Sequence, residues 1–239
     1  RYLIEQLLGE GAMGSVYRAR DVKSGQRCAV KLLHAGLSSA TDLMRFKREF
    51  RTLSDVSHPN LVSLHELVTD RDHWFFTMEL VDGLPMTAWV RQVDGAEGAA
   101  AAPQPADSAL LTVLPQLVDA VCALHRLGIV HRDIKPSNVL VTRAGRVVLL
   151  DFGLLSEHDP AADEDFSLYP STGLTVLGTP AYMAPEQGTA EGAAPEADWY
   201  SVGVMIYEAL TGRLPFAGVG LDHLEAKLAG PAVSPQSIN

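Results

Sequence analysis

The sequence predicts a two-part α+β fold, with strands in the first third of the chain and mainly helices after it. Over residues 1–80, short apolar runs alternate with turn residues, a pattern typical of antiparallel strands. Beyond this region, apolar residues such as Leu117, Val121 and Leu124 recur at helical spacing. The segment 79–83 between them suits a flexible connection. We therefore expect two domains, residues 1–80 and 81–239.

Composition narrows the functional classes. The 239 residues are 47% hydrophobic and 20% charged, as in an ordinary globular protein. A net charge of −10 argues against nucleic acid as the main partner, because binding it needs a basic surface. Cys28 and Cys122 have no paired spacing, so both are expected to be buried small hydrophobes in a reducing, cytoplasmic setting.

Two further expectations concern the rest of the polypeptide. No apolar run approaches the roughly 20 residues that span a bilayer, so no membrane segment is expected in this stretch. The chain begins at Arg1 and not at Met, so we expect it to be part of a longer, multidomain chain. The sequence leaves open whether that longer chain carries a membrane anchor elsewhere.

The first two predicted strands enclose a glycine-rich turn. Gly9, Gly11 and Gly14 are followed by Val16-Tyr17, which favours a strand over a helix. A dinucleotide-binding fold would need these glycines to open a helix, so the sequence argues against that fold. A glycine turn between strands instead lets the backbone approach phosphate groups closely.

A lysine and a glutamate follow the glycine turn. Lys31 lies in the predicted strand 27–33, where its position after the glycines favours an anion as its partner. The next segment has apolar residues at helical spacing, namely Leu43, Phe46, Phe50 and Leu53. Glu49 lies on this helix. It is either a solvated carboxylate paired with Arg45 or Lys47, or the partner that holds Lys31 against phosphates.

The segment 131–138, His-Arg-Asp-Ile-Lys-Pro-Ser-Asn, carries the strongest chemical signal, together with Asp151. Asp133 can orient and deprotonate a hydroxyl, and Lys135 can neutralise a phosphoryl group. Asn138 and Asp151 offer oxygen ligands for Mg²⁺. Each residue alone has an ordinary structural explanation as a turn former, cap or solvated charge. As a block, they predict phosphoryl transfer.

These motifs resemble the eukaryotic-type (Hanks-type) protein kinase family, and specifically bacterial serine/threonine kinases. The resemblance covers nearly the whole chain, and the motifs occur in the family's order. The matching positions are Gly9, Gly11, Gly14 and Val16, Ala29-Val30-Lys31, Glu49, residues 131–138, Asp151-Phe152-Gly153, Ala184-Pro185-Glu186 and Asp198. The resemblance implies a bilobal fold, with an antiparallel β N-lobe carrying one helix, a mainly helical C-lobe, and ATP between them.

The same resemblance implies the nucleotide site. Lys31 and Glu49 would hold the phosphates, and Asn138 and Asp151 would hold Mg²⁺, with Mn²⁺ as a possible substitute. The adenine contacts would come from the apolar residues Val16, Ala29 and Leu140, the gatekeeper Met78, and the backbones of Glu79 and Val81.

Serine/threonine specificity is implied by Lys135, two residues after Asp133, and by Thr179 in the substrate-docking segment Gly178–Tyr182. Arg132 suggests control by phosphorylation of the activation loop, because a guanidinium pairs a phosphate bidentately. The candidate acceptors are Ser171, Thr172 and Thr175, for which ordinary loop solvation is an equally good explanation.

The implied reaction is transfer of the γ-phosphoryl of Mg·ATP to serine or threonine hydroxyls of proteins, including the chain's own activation loop. A pseudokinase scaffold and a small-molecule phosphotransferase of related fold are the alternatives. Two features depart from the family: an insertion at residues 94–106, and an end at Asn239 before the last two helices. Those helices normally pair an arginine with the position of Glu186, so an unpaired buried charge is expected there.

Overall fold

A computed structural model describes residues 1–11, 14–34, 40–70, 73–92, 106–151, 180–188, 194–220 and 222–238. The chain divides into two compact units, Arg1–Asp82 and Gly83–Asn239, which are called here the N-terminal and C-terminal units. The predicted insertion at 94–106 lies outside the described residues except for its last residue, Ala106.

The N-terminal unit is a five-stranded antiparallel sheet with one helix, as predicted. Its strands pair in the order β1-β2-β3-β5-β4. The elements are β1 (Tyr2–Gly11), β2 (Gly14–Asp21), β3 (Arg27–Leu33), α1 (Ala40–Ser54), β4 (Leu64–Asp70) and β5 (His73–Met78). The glycine turn joins β1 and β2 as a hairpin, with Gly11 opposite Gly14, so the predicted hairpin is confirmed.

The two faces of this sheet bury different residues. One face carries a small core of Ala19, Cys28 and Val30, covered by Tyr2 and Phe75. On the opposite face, α1 packs its aromatic side chains on the sheet, since the rings of Phe46 and Phe50 lie 6.4 and 5.6 Å from that of Phe76. The amphipathic character predicted for this helix is therefore confirmed.

The C-terminal unit is mainly helical. Its helices are α2 (Met86–Gln92), α3 (Ala106–Arg126), α4 (Pro195–Thr211) and α5 (Asp222–Ala229). A small antiparallel sheet joins β6 (Gly83–Pro85), β7 (Val139–Thr142) and β8 (Val147–Leu149) in that order. The apolar runs Val139–Val141 and Val147–Leu150 predict a hairpin before Asp151, and this hairpin is present, with Val139 opposite Leu149.

Helix α3 corrects one expectation from the sequence. Among the described residues, it is the one helix long and apolar enough to cross a membrane by length and composition alone. Core helices pass the same test, and α3 contributes Val113, Leu117, Val121 and Leu124 to the interior, each 0% exposed. The expectation that no apolar run in this chain approaches membrane-spanning length was therefore wrong for α3.

Other predictions from the sequence were inaccurate in detail. The apolar residues from Leu61 to Val68 predict a strand, but β4 begins only at Leu64, because Leu61 and Val62 are buried within the preceding loop. The connection expected at residues 79–83 has no helix or strand over residues 79–82, but its last residue, Gly83, already begins β6, and α2 follows directly. Cys28 is buried, which raises the pKa of its thiol, whereas Cys122 is only half-buried.

Candidate active site

Three predicted catalytic residues meet in the loop that precedes β7. The Lys135 Nζ lies 2.7 Å from Asp133 Oδ2. The Asn138 Nδ2 donates to the same oxygen at 3.0 Å and to the Asp133 carbonyl at 2.8 Å. Asp133 Oδ2 is therefore held by a cation and an amide, while both side chains of the ion pair keep partial solvent access. This fixes the direction in which the carboxylate points.

His131 ties this loop to the residue before Asp151. Its ring is 0% exposed, and Nε2 donates to the Leu150 carbonyl at 2.7 Å. A carbonyl can only accept, so the proton lies on Nε2, and Nδ1 accepts from the Asp133 N–H at 3.3 Å. This neutral tautomer satisfies both bonds. The sequence motif included His131 but gave no role to it.

Asp198 on α4 anchors the backbone of the same loop. It is 1% exposed, and its two oxygens accept from the His131 and Arg132 N–H groups at 2.9 and 2.8 Å. The His125 Nε2 lies 2.8 Å from Oδ2. The family resemblance implies a buried anchor for this loop at Asp198, and the side chain is buried and bonded to the loop as implied. His125 was missed, and only its place at the end of an amphipathic helix could have pointed to it.

Arg132 and Asp151 are the two non-glycine residues with positive φ in the part of the chain that the structure describes, at 66° and 53°. Such backbone is costly for a side chain with a Cβ and persists where surrounding contacts enforce it. At Arg132 the hydrogen bond to Asp198 does so. Strain of this kind clusters at functional sites.

Asn138 and Asp151 form a donor set that suits Mg²⁺ or Mn²⁺. Both Asn138 Nδ2 hydrogens are directed at Asp133, which leaves the amide oxygen as the atom for a metal. Asp151 follows directly on the β7–β8 hairpin, and Leu150 donates its N–H to the Asn138 carbonyl at 2.8 Å. One amide oxygen and one carboxylate fit a cation that keeps waters and phosphate oxygens as its other ligands.

In the N-terminal unit, the predicted nucleotide residues share one face of the sheet. Val16 lies opposite Lys31, and Ala29 lies opposite Met78. Because alternate residues of a strand point the same way, Ala29 and Lys31 face the same side. Lys31 is only 9% exposed. Glu49 lies within α1, the helix packed on this face, although its side chain is outside the described set.

The three glycines of the hairpin differ in what they permit. A Cβ on Gly14 would lie 2.2 Å from the Leu32 carbonyl oxygen, so packing within the chain requires glycine there. A Cβ on Gly9 or Gly11 would meet no atom of the described residues within 4 Å. Internal packing therefore does not explain these two, whereas the close approach of an outside group would.

The remaining adenine positions lie in separate elements. Glu79 follows β5 and donates its N–H to the Ser63 carbonyl at 2.9 Å, so the backbone group it can offer adenine is its own carbonyl. Val81 is half-buried at the end of the N-terminal unit. Leu140 is half-buried in β7, where it pairs with Pro85 and Val148.

Comparison with known proteins identifies this arrangement. The family model "Protein kinase domain" matches residues 2–231. The chain belongs to the protein kinase domain family. The bilobal α+β class, an antiparallel sheet with one helix followed by a helical part, agrees with this family, so the predicted fold class is confirmed.

The most similar relatives include several bacterial kinases. Serine/threonine-protein kinase Pkn1 of Myxococcus xanthus is 40% identical over 237 residues, covering 97% of this chain and 32% of the relative. Serine/threonine-protein kinase PknA of Mycobacterium tuberculosis is 36% identical over 226 residues, covering 92% and 49%. PrkC of Bacillus subtilis is 33% identical over 253 residues, covering 100% and 36%. The chain thus spans half or less of these relatives' lengths.

The segment at residues 180–188 contains Ala184-Pro185-Glu186 and the described part of the stretch that resembles the family's docking segment. The Tyr182 hydroxyl donates to Glu208 Oε2 on α4 at 2.7 Å, and burial together with this carboxylate raises the Tyr182 pKa. Gln187 links two loops, because Nε2 donates to the Arg132 carbonyl at 2.9 Å and Oε1 accepts from the Ala184 N–H at 2.8 Å.

Glu186 departs from its expected state. It is half-buried and has an interaction partner, so the expectation of an unpaired buried charge was wrong. Its carboxylate also raises the pKa of Tyr200, although burial of that ring is the larger cause. Thr179 and the candidate phosphosites Ser171, Thr172 and Thr175 lie outside the described residues, so their roles stay predictions.

Proposed function

We propose that this kinase domain transfers the γ-phosphoryl of ATP, as its Mg²⁺ or Mn²⁺ complex, to serine or threonine hydroxyls of proteins. The observation that carries the proposal is the Asp133 carboxylate, held at one oxygen by Lys135 and Asn138. Similarity to bacterial serine/threonine kinases supports the same reaction. The reaction would take place in the cytoplasm, where ATP is available.

Asp133 is the residue that would handle the acceptor. With Oδ2 occupied by Lys135 and Asn138, Oδ1 is the oxygen that would accept the hydrogen bond of the incoming hydroxyl. As the oxygen–phosphorus bond forms, the hydroxyl proton passes to this carboxylate. Lys135 stays charged beside it and offsets negative charge on the phosphoryl group. Lys135 and Thr179 would together favour aliphatic hydroxyls, as the family resemblance implies.

Asn138 and Asp151 would hold the divalent cation. The cation supplies neutralisation of the charge on the phosphate oxygens. The chain would contribute the ligands, because Asn138 is buried and hydrogen-bonded to Asp133, and the backbone of Leu150, the residue before Asp151, is hydrogen-bonded to Asn138.

The N-terminal unit would bind the rest of the nucleotide. Lys31, with Glu49 as its partner, would hold the phosphates, and Gly9 and Gly11 would let the backbone approach them. The adenine would contact Val16, Ala29, Met78 and Leu140 and the backbones of Glu79 and Val81. The common face of Val16, Ala29, Lys31 and Met78 supports this assignment.

Phosphorylation of the chain's own activation loop would regulate the enzyme. Arg132 would pair with a phosphate on Ser171, Thr172 or Thr175, since guanidinium binds phosphate bidentately. The strained backbone at Arg132, fixed by Asp198, would aim this side chain.

The test is phosphosite mass spectrometry of the full-length protein after incubation with Mg·ATP and a protein acceptor. We expect phosphoserine or phosphothreonine on the acceptor and on the chain itself. Asp133→Asn and Lys31→Met should each lower incorporation by about 10²- to 10⁴-fold. Asp119→Asn changes the same charge at an exposed site of α3 and should retain activity.

The outcomes separate the alternatives. Phosphate on a metabolite acceptor but not on proteins would indicate a small-molecule phosphotransferase. ATP binding without turnover by the wild-type protein would indicate a pseudokinase scaffold. Full activity in both purified variants would overturn the assignment of Asp133 and Lys31.

A further inference from the structure

Lys227 on α5 is a buried cation whose hydrogen bonds all go to one loop. The residue is 8% exposed. Its Nζ donates to the carbonyls of Pro180, Ala181 and Met183 at 2.7, 3.0 and 2.6 Å. An ammonium group has three N–H donors, so this one loop uses all of them.

The loop needs such a partner. Residues 180–183 form turns, without a helix or strand ladder to satisfy their carbonyl oxygens. A hydrogen bond from a charged donor is roughly twice as strong as one between neutral groups. A single lysine on a neighbouring helix therefore fixes three of four consecutive residues.

The surroundings of Lys227 are mostly uncharged. Its Nζ lies 5.4 Å from the centroid of the Tyr200 ring on α4, a favourable contact for a cation. Of the titratable groups nearby, the Glu186 carboxylate raises the pKa of Tyr200. Asp222, His223 and Glu225 lie on α5 itself. Among the described residues, no carboxylate forms an ion pair with Lys227. Burial lowers the pKa of Lys227 to about 8.

We propose that Lys227 is a positioning residue that holds the backbone of residues 180–183 in the conformation that receives the protein acceptor. This inference rests on the proposed function, because the loop belongs to the segment that resembles the substrate-docking region. Lys227 touches neither the nucleotide residues nor Asp133 in the described structure, so it would act on acceptor affinity and not on the chemical step.

Titration of Lys227 would have opposite effects on docking and stability. A neutral amine has two N–H donors in place of three, so docking should weaken as the pH rises above about 8. The folded-state pKa lies below the ordinary value of 10.5, so the unfolded chain binds the proton more tightly. Stability should therefore rise between these two pH values. Burial raises the pKa of the neighbouring Tyr200 above its ordinary value.

The kinetic test compares Lys227→Met with wild type, using a serine-containing acceptor peptide. We expect the KM for the peptide to rise about tenfold, the equivalent of one lost charge-assisted hydrogen bond, with the KM for ATP unchanged. Lys227→Arg stays charged and should restore part of the affinity, including above pH 8. Lys23→Met, in the exposed turn after β2, is the charge-matched control.

A purely structural role would give a different result. It would reduce the folded fraction, and hence the apparent kcat, while both KM values stayed constant. An unchanged peptide KM in Lys227→Met would overturn the proposal.

Amide hydrogen exchange tests the inference without catalysis. In Lys227→Met, residues 181–187 should exchange at least about tenfold faster, while residues 139–149 of the β7–β8 hairpin keep their wild-type rates. Unchanged exchange at 181–187 would overturn the role of Lys227 even in an active kinase. Absence of peptide phosphorylation by wild type would instead refute the proposed function, with the exchange result still deciding on Lys227.

Discussion

Residues 131–138 and residues 180–188, called here the catalytic loop and the docking segment after their proposed roles, are anchored by side chains of opposite charge. Both lack a partner strand for most of their backbone, and each is fixed by one buried charged side chain from a helix. Asp198 on α4 accepts from two N–H groups of the catalytic loop. Lys227 on α5 donates to three carbonyls of the docking segment.

The two anchoring residues, Asp198 and Lys227, differ in how firmly the surrounding structure holds them. Asp198 is 1% exposed in a helix of 17 residues, and His125 adds a third partner. Lys227 lies in the last turn of an eight-residue helix, beside Leu228, which is 75% exposed. A short helix has few contacts of its own to resist displacement. We therefore expect the catalytic loop to tolerate change less well than the docking segment.

Removal of the Asp198 charge should have the largest effect. In Asp198→Asn, one amide hydrogen would face the backbone N–H groups that now donate to a carboxylate, so a buried donor loses its acceptor. We expect the free energy of unfolding to fall by about 3 kcal/mol and kinase activity to be lost. Urea denaturation followed by tryptophan fluorescence measures the first effect.

Asp119→Asn is the matched control for this change. Asp119 is 57% exposed and lies 3.7 Å from Arg126, so its replacement should change the free energy of unfolding by no more than about 0.5 kcal/mol. Equal stability of the Asp198 and Asp119 variants would contradict the view that one buried charge fixes the catalytic loop.

The sequence predicted the two loops unequally well. Residues 133, 135 and 138 are neighbours in sequence, so their contacts follow from local spacing. Asp198 lies 66 residues after Arg132, and its role came only from family resemblance. Lys227 lies 44 residues from Met183, in a helix with no motif of its own, so no pattern indicated it. Contacts between distant segments depend on how helices pack, which periodicity does not specify.

Gln187 connects the two loops, and its replacement should have an intermediate effect. Its amide donates to the Arg132 carbonyl and accepts from the Ala184 N–H. Gln187→Met keeps the length of the side chain and removes both bonds. We expect a loss of about 1–2 kcal/mol in the free energy of unfolding, measured by urea denaturation.

Gln187→Glu separates the two contributions. Its carboxylate can still accept from the Ala184 N–H but cannot donate to Arg132. It should therefore show faster amide exchange in the catalytic loop with the docking segment unchanged. If both variants kept wild-type amide exchange rates in the catalytic loop and in the docking segment, Gln187 would not couple the two.

The fold itself was predicted more fully than its connections. The strand pairing around the glycine hairpin and the burial of Phe46, Phe50 and Leu53 on α1 follow from alternation and helical spacing. The start of β4 was misplaced by three residues, because buried apolar residues in a loop resemble those in a strand. Helix α2 was missed, since its seven residues are too few for a clear helical period.

Loss of the Tyr182 hydroxyl should have the smallest effect of the three. Tyr182 donates to Glu208 Oε2 at 2.7 Å, and its raised pKa keeps the hydroxyl protonated through the physiological range. Tyr182→Phe removes this bond, but half-buried Glu208 can regain water, so we expect a loss of about 1 kcal/mol. A double-mutant cycle with Glu208→Met isolates the pair, since methionine keeps the length of the side chain and removes the acceptor oxygen. A loss larger than that of Gln187→Met would mean that the bond to α4 contributes more to fixing the docking segment than the bonds of Gln187 do.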